Sequence, residues 1–441
     1  MVTGSDISRS RDWLELLCGG LERLGVEVAA CQASGGEATI VVPGAARDDL
    51  VINLSRDPDA PNFALVEGIA LRFRGTAEPG SAGQRALAVL PRLLRGISHR
   101  IPEPIDSPCV RGVETMLPHR ALAFAFPFCT AERIIGPDGS AGVGEVLVRL
   151  TARCNQACPF CSAPPPRPDP SPDKVEALLG MIDRLAPAAT VTFTGGEPTL
   201  RRDLARLIER ALGAGTARRP VEVQTNAVKL SDPSEVEAFP RSTRLRFFVS
   251  LHSMDPATYD RCTGTRGLLP RAVTGIRNLQ AQGHEVVLSC VIGAWTAPGL
   301  IRFVEDVAAE LGGPPRPALH FSITLCPEHR PAAAECLVRY SELAPALVTA
   351  HRRARELGLR PEPLLSSSHA AIPACFIDRP DGERPASRPL LEPVTAEAPG
   401  EVEEWSKGPR CEGCRSSSSC MGVPRAYADR FGLAELAPPA R

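Results

Sequence analysis

The sequence predicts an α/β fold of parallel β-α units, and three observations predict it. Between Glu145 and about Leu325, six apolar β-branched runs alternate with amphipathic helix-like runs. Six units in a row fit either a barrel or an open doubly wound sheet, and periodicity does not choose between them. The residues with chemical potential gather where the strand-like runs end, which is where the active site of a β/α barrel lies.

Each element follows from its own pattern. Residues 1–140 read as a small α+β domain of unknown role. Arg11 to Leu24 and Arg85 to Ile97 have helical spacing, and Ala38–Val42, Leu50–Leu54 and Ala70–Phe73 are strand-like. Residues 141–331 carry the repeated units. Strands are expected at Glu145–Leu150, Thr190–Thr194, Val221–Gln224, Leu245–Leu251, Val286–Val291 and Ala318–Leu325. Helices are expected at Lys174–Leu185, Leu204–Leu212, Pro270–Gln282 and Leu300–Leu311. Residues 332–441 begin with a helix from Ala332 through Leu357. A Pro- and Ser-rich stretch follows, and then a cysteine-rich end.

Composition narrows the function classes. A net charge of −1 over 441 residues gives no hint of a nucleic-acid or anionic-membrane surface. No apolar leader follows Met1, and no run of apolar residues is long enough to span a bilayer, so a cytoplasmic protein without a membrane partner is expected. Fifteen cysteines in such a chain argue for thiols and metal ligation in a reducing compartment, not for disulfides.

The cysteines carry the strongest signal. Cys154, Cys158 and Cys161 follow the first strand with C-x3-C-x2-C spacing. Three thiolates this close can hold three irons of a [4Fe-4S] cube and leave the fourth iron open to a small molecule. Zinc or a redox-sensing group is the competing reading, although zinc sites more often pair two C-x2-C units. The second strand ends in Gly195-Gly196-Glu197-Pro198. Alone this would be an ordinary strand-to-helix turn. Together the two motifs resemble those of the radical S-adenosylmethionine (radical SAM) enzymes. The resemblance implies a partial (β/α)6 barrel whose open iron is chelated by SAM. It also implies that the GGEP segment meets the SAM amino group and that the aromatic Phe160 packs near the adenine.

By the same resemblance Ser250 and His252, at the end of the fourth strand, and Thr225 and Asn226, at the end of the third, are candidate SAM contacts. Each has a structural alternative; a histidine on an apolar strand is more often a satisfied core residue. The stretch Leu251–Ile292, with Tyr259 and Thr263-Gly264, is similar to the family's fourth and fifth units. Gly293-Ala294-Trp295-Thr296 lacks the asparagine usual there. Cys326, ending the sixth strand, is a candidate hydrogen donor or a buried structural thiol.

Cys411-x2-Cys414-x5-Cys420 resembles the end of SPASM and twitch domains, which hold auxiliary [4Fe-4S] clusters. With Cys375 as fourth ligand it would complete one closed cluster, and zinc is the alternative. The resemblance implies an enzyme that reductively cleaves SAM to a 5′-deoxyadenosyl radical and abstracts a hydrogen atom from its substrate. Flavodoxin or ferredoxin would be the reductant. A peptide or protein substrate, as in maturases of ribosomally made peptides, leads. A small molecule in cofactor or natural-product biosynthesis is the alternative, and a non-catalytic iron–sulfur redox sensor is third.

Overall fold

A computed structural model describes residues 18, 21–22, 26–34, 37–43, 50–56, 69–74, 128–135, 141–163, 168–213, 219–324, 326, 331–364, 372–377, 390–394, 405–414, 420 and 422–436. The chain divides into two compact units. One comprises Met1–Arg133, Asp173–Pro187 and Pro393–Glu401, and the other Ile134–Pro172, Ala188–Glu392 and Val402–Arg441.

In the first unit β1 (Ala30–Ser34), β2 (Glu37–Val42), β3 (Leu50–Arg56) and β4 (Ile69–Arg74) form an antiparallel sheet in chain order. The three strands expected here form, and β1 is an addition. The expected helix Arg85–Ile97 lies outside the described residues, as does most of Arg11–Leu24. One expectation is corrected. Against the expectation of thiols and not disulfides, Cys18 and Cys31 form a disulfide that ties a helical position to β1 across 13 residues. Sequence distance concealed a pair whose Cα atoms lie 6.9 Å apart.

The second unit is organised by one large sheet. Its parallel strands are β6 (Ala141–Thr151), β7 (Thr190–Gly195), β8 (Val221–Thr225), β9 (Leu245–Ser250), β10 (Glu285–Ile292), β11 (Ala318–Ile323) and β12 (Arg360–Pro361). They are hydrogen-bonded in chain order, and β5 (Cys129–Ile135) and then β13 (Leu390–Val394) extend the β6 edge. Consecutive order is the winding of a β/α barrel; a doubly wound sheet reverses direction at a switch point. Among the described strands the two edges do not pair, so the α/β fold is a partial barrel.

Burial explains the strands. β9 alternates, with Leu245, Phe247 and Val249 buried, whereas β10 is buried almost throughout. Each such side chain stabilises the fold by roughly 1.5–3 kcal/mol relative to exposure. In chain order the helices are α1 (Pro172–Leu185), which falls almost wholly in the first unit, and, in the second, α2 (Leu204–Gly213), α3 (Pro233–Glu237), α4 (Pro256–Thr263), α5 (Leu269–Ala281) and α6 (Leu300–Leu311). α2 buries Leu204, Leu207, Ile208, Ala211 and Leu212, the i, i+3, i+4, i+7, i+8 stripe of an amphipathic helix. α4 has a short helical pattern but strong ends. Asp255 accepts from the Thr258 amide, Pro256 opens the first turn, and Gly264 ends the helix at φ 62°.

After the barrel the expected continuous helix from Ala332 is broken. A 3-10 helix, Pro331–Cys336, is followed by α7 (Tyr340–Glu356), and the chain closes with α8 (Arg425–Phe431).

Candidate functional site

The carboxyl ends of β6, β7, β8 and β9 bring most of the expected residues together. The cysteine loop leaves β6 and is tied at both ends. Asp169 accepts from the Thr151 hydroxyl at 2.8 Å and the Ala152 amide at 3.0 Å, and pairs with Arg153 at 3.4 Å. Arg201, its side chain 7% exposed, donates to the carbonyls of Leu150 and Pro170, on the two sides of the loop. It also forks onto the Asp203 carboxylate and holds that group below the ordinary carboxylate range.

The two glycines of the GGEP segment allow the next strand end to press on this loop. The Gly196 amide donates to the Thr151 carbonyl at 2.7 Å, and the Glu197 amide to the Arg153 carbonyl at 2.8 Å. A Cβ at Gly196 would lie 2.2 Å from the Arg153 carbonyl oxygen. A Cβ at Gly195, where φ is 132°, would lie 2.4 Å from the Thr151 oxygen. Neither position accepts a side chain without moving the backbone that leads into Cys154.

Glu197 is buried at 1% exposure, and its carboxylate is already engaged. One oxygen accepts from the Thr199 amide (3.1 Å), the Thr199 hydroxyl (2.7 Å) and the Thr225 hydroxyl (2.7 Å). The other accepts from the Asn226 amide at 2.7 Å. Burial raises the pKa of this acid, and the four hydrogen bonds oppose the rise. Glu197 is thus a strut between the ends of β7 and β8. Pro198 is buried and opens the 3-10 turn behind it. The Asn226 side chain continues the network, donating to Asn155 Oδ1 at 2.6 Å, with Cys154 Sγ at 4.0 Å.

From the other side, α4 holds the middle of the loop. The Ala157 amide donates to the Thr263 carbonyl at 2.8 Å, and Gln156 Nε2 donates to the Tyr259 hydroxyl at 2.9 Å. The left-handed Gly264 lets the Ala157 backbone approach so closely that a Cβ there would lie 2.5 Å from its oxygen. Tyr259 and Gly264 were legible as family-like residues, but their contacts with the loop were not.

Within the loop the Cys161 amide donates to the Cys158 carbonyl, and the Gln156 amide reaches Cys154 Sγ at 3.4 Å. Burial, and then the Cys161 and Cys154 thiols, push Cys158 up to about 12. Cys154 is raised by burial, with Glu197 and Cys161 adding to the rise. The three sulfurs therefore feel one another. Mutually repelling thiolates beside an amide donor are a donor set that a cationic iron cluster relieves. Among the described residues no group of three His, Cys, Asp or Glu side chains is already gathered to hold a metal ion.

Phe160 anchors an apolar patch with Cys262, Ala333 and Cys336, against which Cys158, Val291, Trp295 and Cys326 pack. Its ring meets His252 edge-on at 5.2 Å and Trp295 at 6.3 Å. His252 accepts at Nδ1 from the Val291 amide, and burial lowers its pKa to about 4, so it is neutral with its proton on Nε2. Ser250 is half-buried opposite Ser289 in the β9–β10 register.

A second polar line crosses the sheet on β6 to β9. The Thr192 hydroxyl donates to Glu145, and Arg246 donates to Glu222 at 2.6 Å. Burial pushes Glu222 up to about 7, with Arg246 opposing and Glu145 reinforcing the rise.

The carboxyl-terminal cysteines are only partly assembled. Cys411 and Cys414 share a turn through Gly413 at φ 75°, with the Cys414 amide donating to the Cys411 carbonyl. The Gly422 amide reaches Cys420 Sγ at 3.4 Å. Next to Cys375, Phe376 meets Tyr340 at 5.8 Å, and Tyr340 stacks on Tyr427 at 4.1 Å.

Residues 148–302 match the Radical SAM superfamily, and this segment is a radical SAM domain, a class that works with a [4Fe-4S] cluster and SAM. Among curated proteins the chain is 31% identical over 166 residues to a probable GTP 3′,8-cyclase of Sulfolobus acidocaldarius, covering 36% of this chain and 51% of the relative. It is 29% identical over 180 residues to a PqqA peptide cyclase of Xanthomonas oryzae pv. oryzae, covering 38% and 45%. The chain thus spans about half the length of these relatives. Among solved structures, Streptococcus suis SuiB bound to precursor peptide SuiA matches with TM-score 0.40 and 18% identity, over 49% of this chain and 48% of SuiB. No helix among the described residues is long and apolar enough to cross a membrane.

Proposed function

We propose that this chain is a radical SAM enzyme acting on a peptide or protein. Cys154, Cys158 and Cys161 would hold a [4Fe-4S] cluster with SAM on its open iron. When bound, this pair supplies a 5′-deoxyadenosyl radical able to remove a hydrogen atom from an unactivated carbon. The observation that carries the reading is the wedging of the cysteine loop between the Gly195-Gly196-Glu197 backbone and α4. Such fixing would hold in place the loop that carries the three thiols, on which Cys154 is exposed.

The protein residues do the positioning. Asp169 and Arg201 close the loop, Glu197 braces two strand ends, and neutral His252 and Phe160 keep an apolar wall beside Cys158. Such a wall shields a reactive species from water. Cys375, Cys411, Cys414 and Cys420 would hold one auxiliary [4Fe-4S] cluster. The amide directed at Cys420 Sγ and the left-handed turn between Cys411 and Cys414 support it.

A peptide substrate is supported by the likeness to the PqqA peptide cyclase, and a small molecule by the comparable likeness to the GTP 3′,8-cyclase. Reconstituted, chemically reduced protein should convert SAM to 5′-deoxyadenosine; no product would refute the class. Iron analysis should give about eight irons per chain. Cys411→Ala with Cys414→Ala should lose about half of them, and full retention would refute the auxiliary cluster. A short precursor peptide encoded beside the gene, modified by the protein, would decide for the maturase over the small-molecule enzyme.

A further inference from the structure

Tyr340 has an unspent hydrogen bond. The residue is 3% exposed, and its hydroxyl has no partner among the described residues. A phenol at neutral pH keeps its proton, and a buried donor without an acceptor is costly, so a fold retains one where something takes it. A second buried orphan, Oε1 of Glu435, does not take it, since that atom is without a partner too. The Tyr340 ring is fixed from two sides. It stacks on Tyr427 at 4.1 Å with the planes 18° apart, and the Tyr340 amide donates to the Tyr427 hydroxyl at 2.8 Å. Phe376 meets it edge-on at 5.8 Å. Both neighbours belong to the segments that carry the carboxyl-terminal cysteines. Phe376 is next to Cys375 in the 3-10 turn Ala374–Phe376. Tyr427 is on α8, which continues from the short strand Val423–Pro424 just after Cys420. That strand pairs with Trp405–Ser406, so the chain leading to Cys411 and Cys414 runs beside the chain leaving Cys420. The approach is close: a Cβ at Gly422 would lie 2.1 Å from the Ser406 carbonyl oxygen. The Cys375 segment and the Cys420 segment therefore meet on one tyrosine ring whose hydroxyl is unused.

We propose that the Tyr340 hydroxyl donates a hydrogen bond to a sulfur of the auxiliary [4Fe-4S] cluster, and that Cys375, brought in by Phe376, is a ligand of that cluster. The proposal rests on the auxiliary-cluster reading of Cys375, Cys411, Cys414 and Cys420. Hydrogen bonds to the sulfurs of an iron–sulfur cluster are among the factors that set its potential. The reduced cluster carries one more negative charge than the oxidised one, so an O–H donor favours reduction and raises the potential. A raised potential suits a cluster that takes an electron from a substrate radical. Tyr340 is thus a positioning and tuning residue, acting on the cluster and not on the substrate.

The test needs no substrate. Tyr340→Phe keeps the ring and deletes only the hydroxyl. In reconstituted holoenzyme, a potentiometric titration followed by EPR reads the auxiliary cluster as the signal that persists in a Cys154→Ala, Cys158→Ala, Cys161→Ala variant. Tyr340→Phe should shift the ratio of reduced to oxidised auxiliary cluster about ten-fold toward the oxidised form at any set potential, a fall of about 59 mV for a one-electron couple. Iron content should not change. The unreconstituted variant should melt no lower than wild type, because without the cluster the hydroxyl has no bond to lose. A purely structural tyrosine would give the reverse, a lower melt and an unmoved potential, and that result overturns the proposal. Tyr427→Phe removes the neighbouring hydroxyl, which accepts from the Tyr340 amide, and should lower the melt while leaving the potential in place. Cys375→Ala should abolish the auxiliary signal, and its survival at full iron content would overturn the ligand assignment. A wild type with no auxiliary signal sinks the auxiliary-cluster reading itself, whereas a normal signal with an unmoved potential in Tyr340→Phe sinks only the Tyr340 bond.

Discussion

Glu197→Gln separates two roles that one glutamate can play. The carboxylate accepts four hydrogen bonds at full burial, three on one oxygen and one on the other. A glutamine amide can keep its oxygen toward Thr199 and Thr225, and its NH2 then faces the Asn226 amide. One charge-assisted bond, worth about 1.5–3 kcal/mol, is lost, and a buried backbone donor is left without an acceptor at about 1–3 kcal/mol. Removing a buried charge returns part of this. The net expectation is a loss of about 2–4 kcal/mol in the unit that holds the barrel. Urea unfolding of the unreconstituted chain, followed by a probe in that unit, measures it without SAM. The midpoint should fall while the slope stays constant. A variant as stable as wild type, weakened only in SAM binding, would refute the strut and make Glu197 a ligand alone.

Gly196→Ala should destabilise the unit by at least about 2 kcal/mol and lower iron retention on the first cluster, because its Cβ meets the Arg153 carbonyl at 2.2 Å; unchanged melting and iron content would contradict the wedge. His252 has its pKa depressed from 6.5 to about 4, so the stability it contributes is complete above pH 6.5 and is lost as pH falls through 4. The full loss is about 3 kcal/mol, and His252→Gln should flatten that acid limb in pH-dependent melts. Glu222 has the opposite sign: its raised pKa means that stability present below pH 4.5 is lost as pH rises through about 7. Glu145→Gln removes the like charge and should shrink that loss, and an unaltered profile between pH 5 and 8 would show that the two carboxylates do not interact.

The barrel was legible because its strands are bounded and apolar. All six expected strands form within a few residues of their expected limits, since a buried parallel strand leaves little freedom in composition. What periodicity could not supply was order. Barrel and doubly wound sheet share the same local pattern, and only strand pairing distinguishes them. The short elements escaped for the converse reason. β12 is two residues long and exists because β11 offers it an edge, and α4 depends more on Asp255 and Gly264 at its ends than on a stripe. The expected helix from Ala332 ignored a break that no proline announces: Leu337 and Arg339 separate a 3-10 turn from α7, while Pro345 sits within α7 without ending it.

At the site, residue types were legible and their partners were not. A motif names Glu197 but cannot say whether its oxygens face a ligand or two threonines, because Thr199 is local and Thr225 is a strand away. Asp169 and Arg201 had no signal at all. Their work is to bind carbonyls and amides of the loop, and a backbone partner leaves no trace in side-chain spacing. The Cys18–Cys31 bridge shares this property, since it depends on chain crossing that composition does not encode. Sequence spacing is informative where chemistry demands several side chains on one short loop, as iron does of Cys154, Cys158 and Cys161. It is silent where the fold recruits single residues from distant elements to hold that loop in place. The predictions that probe Glu197 and Gly196 therefore test the structure itself, and the iron counts test what the motif alone already implied.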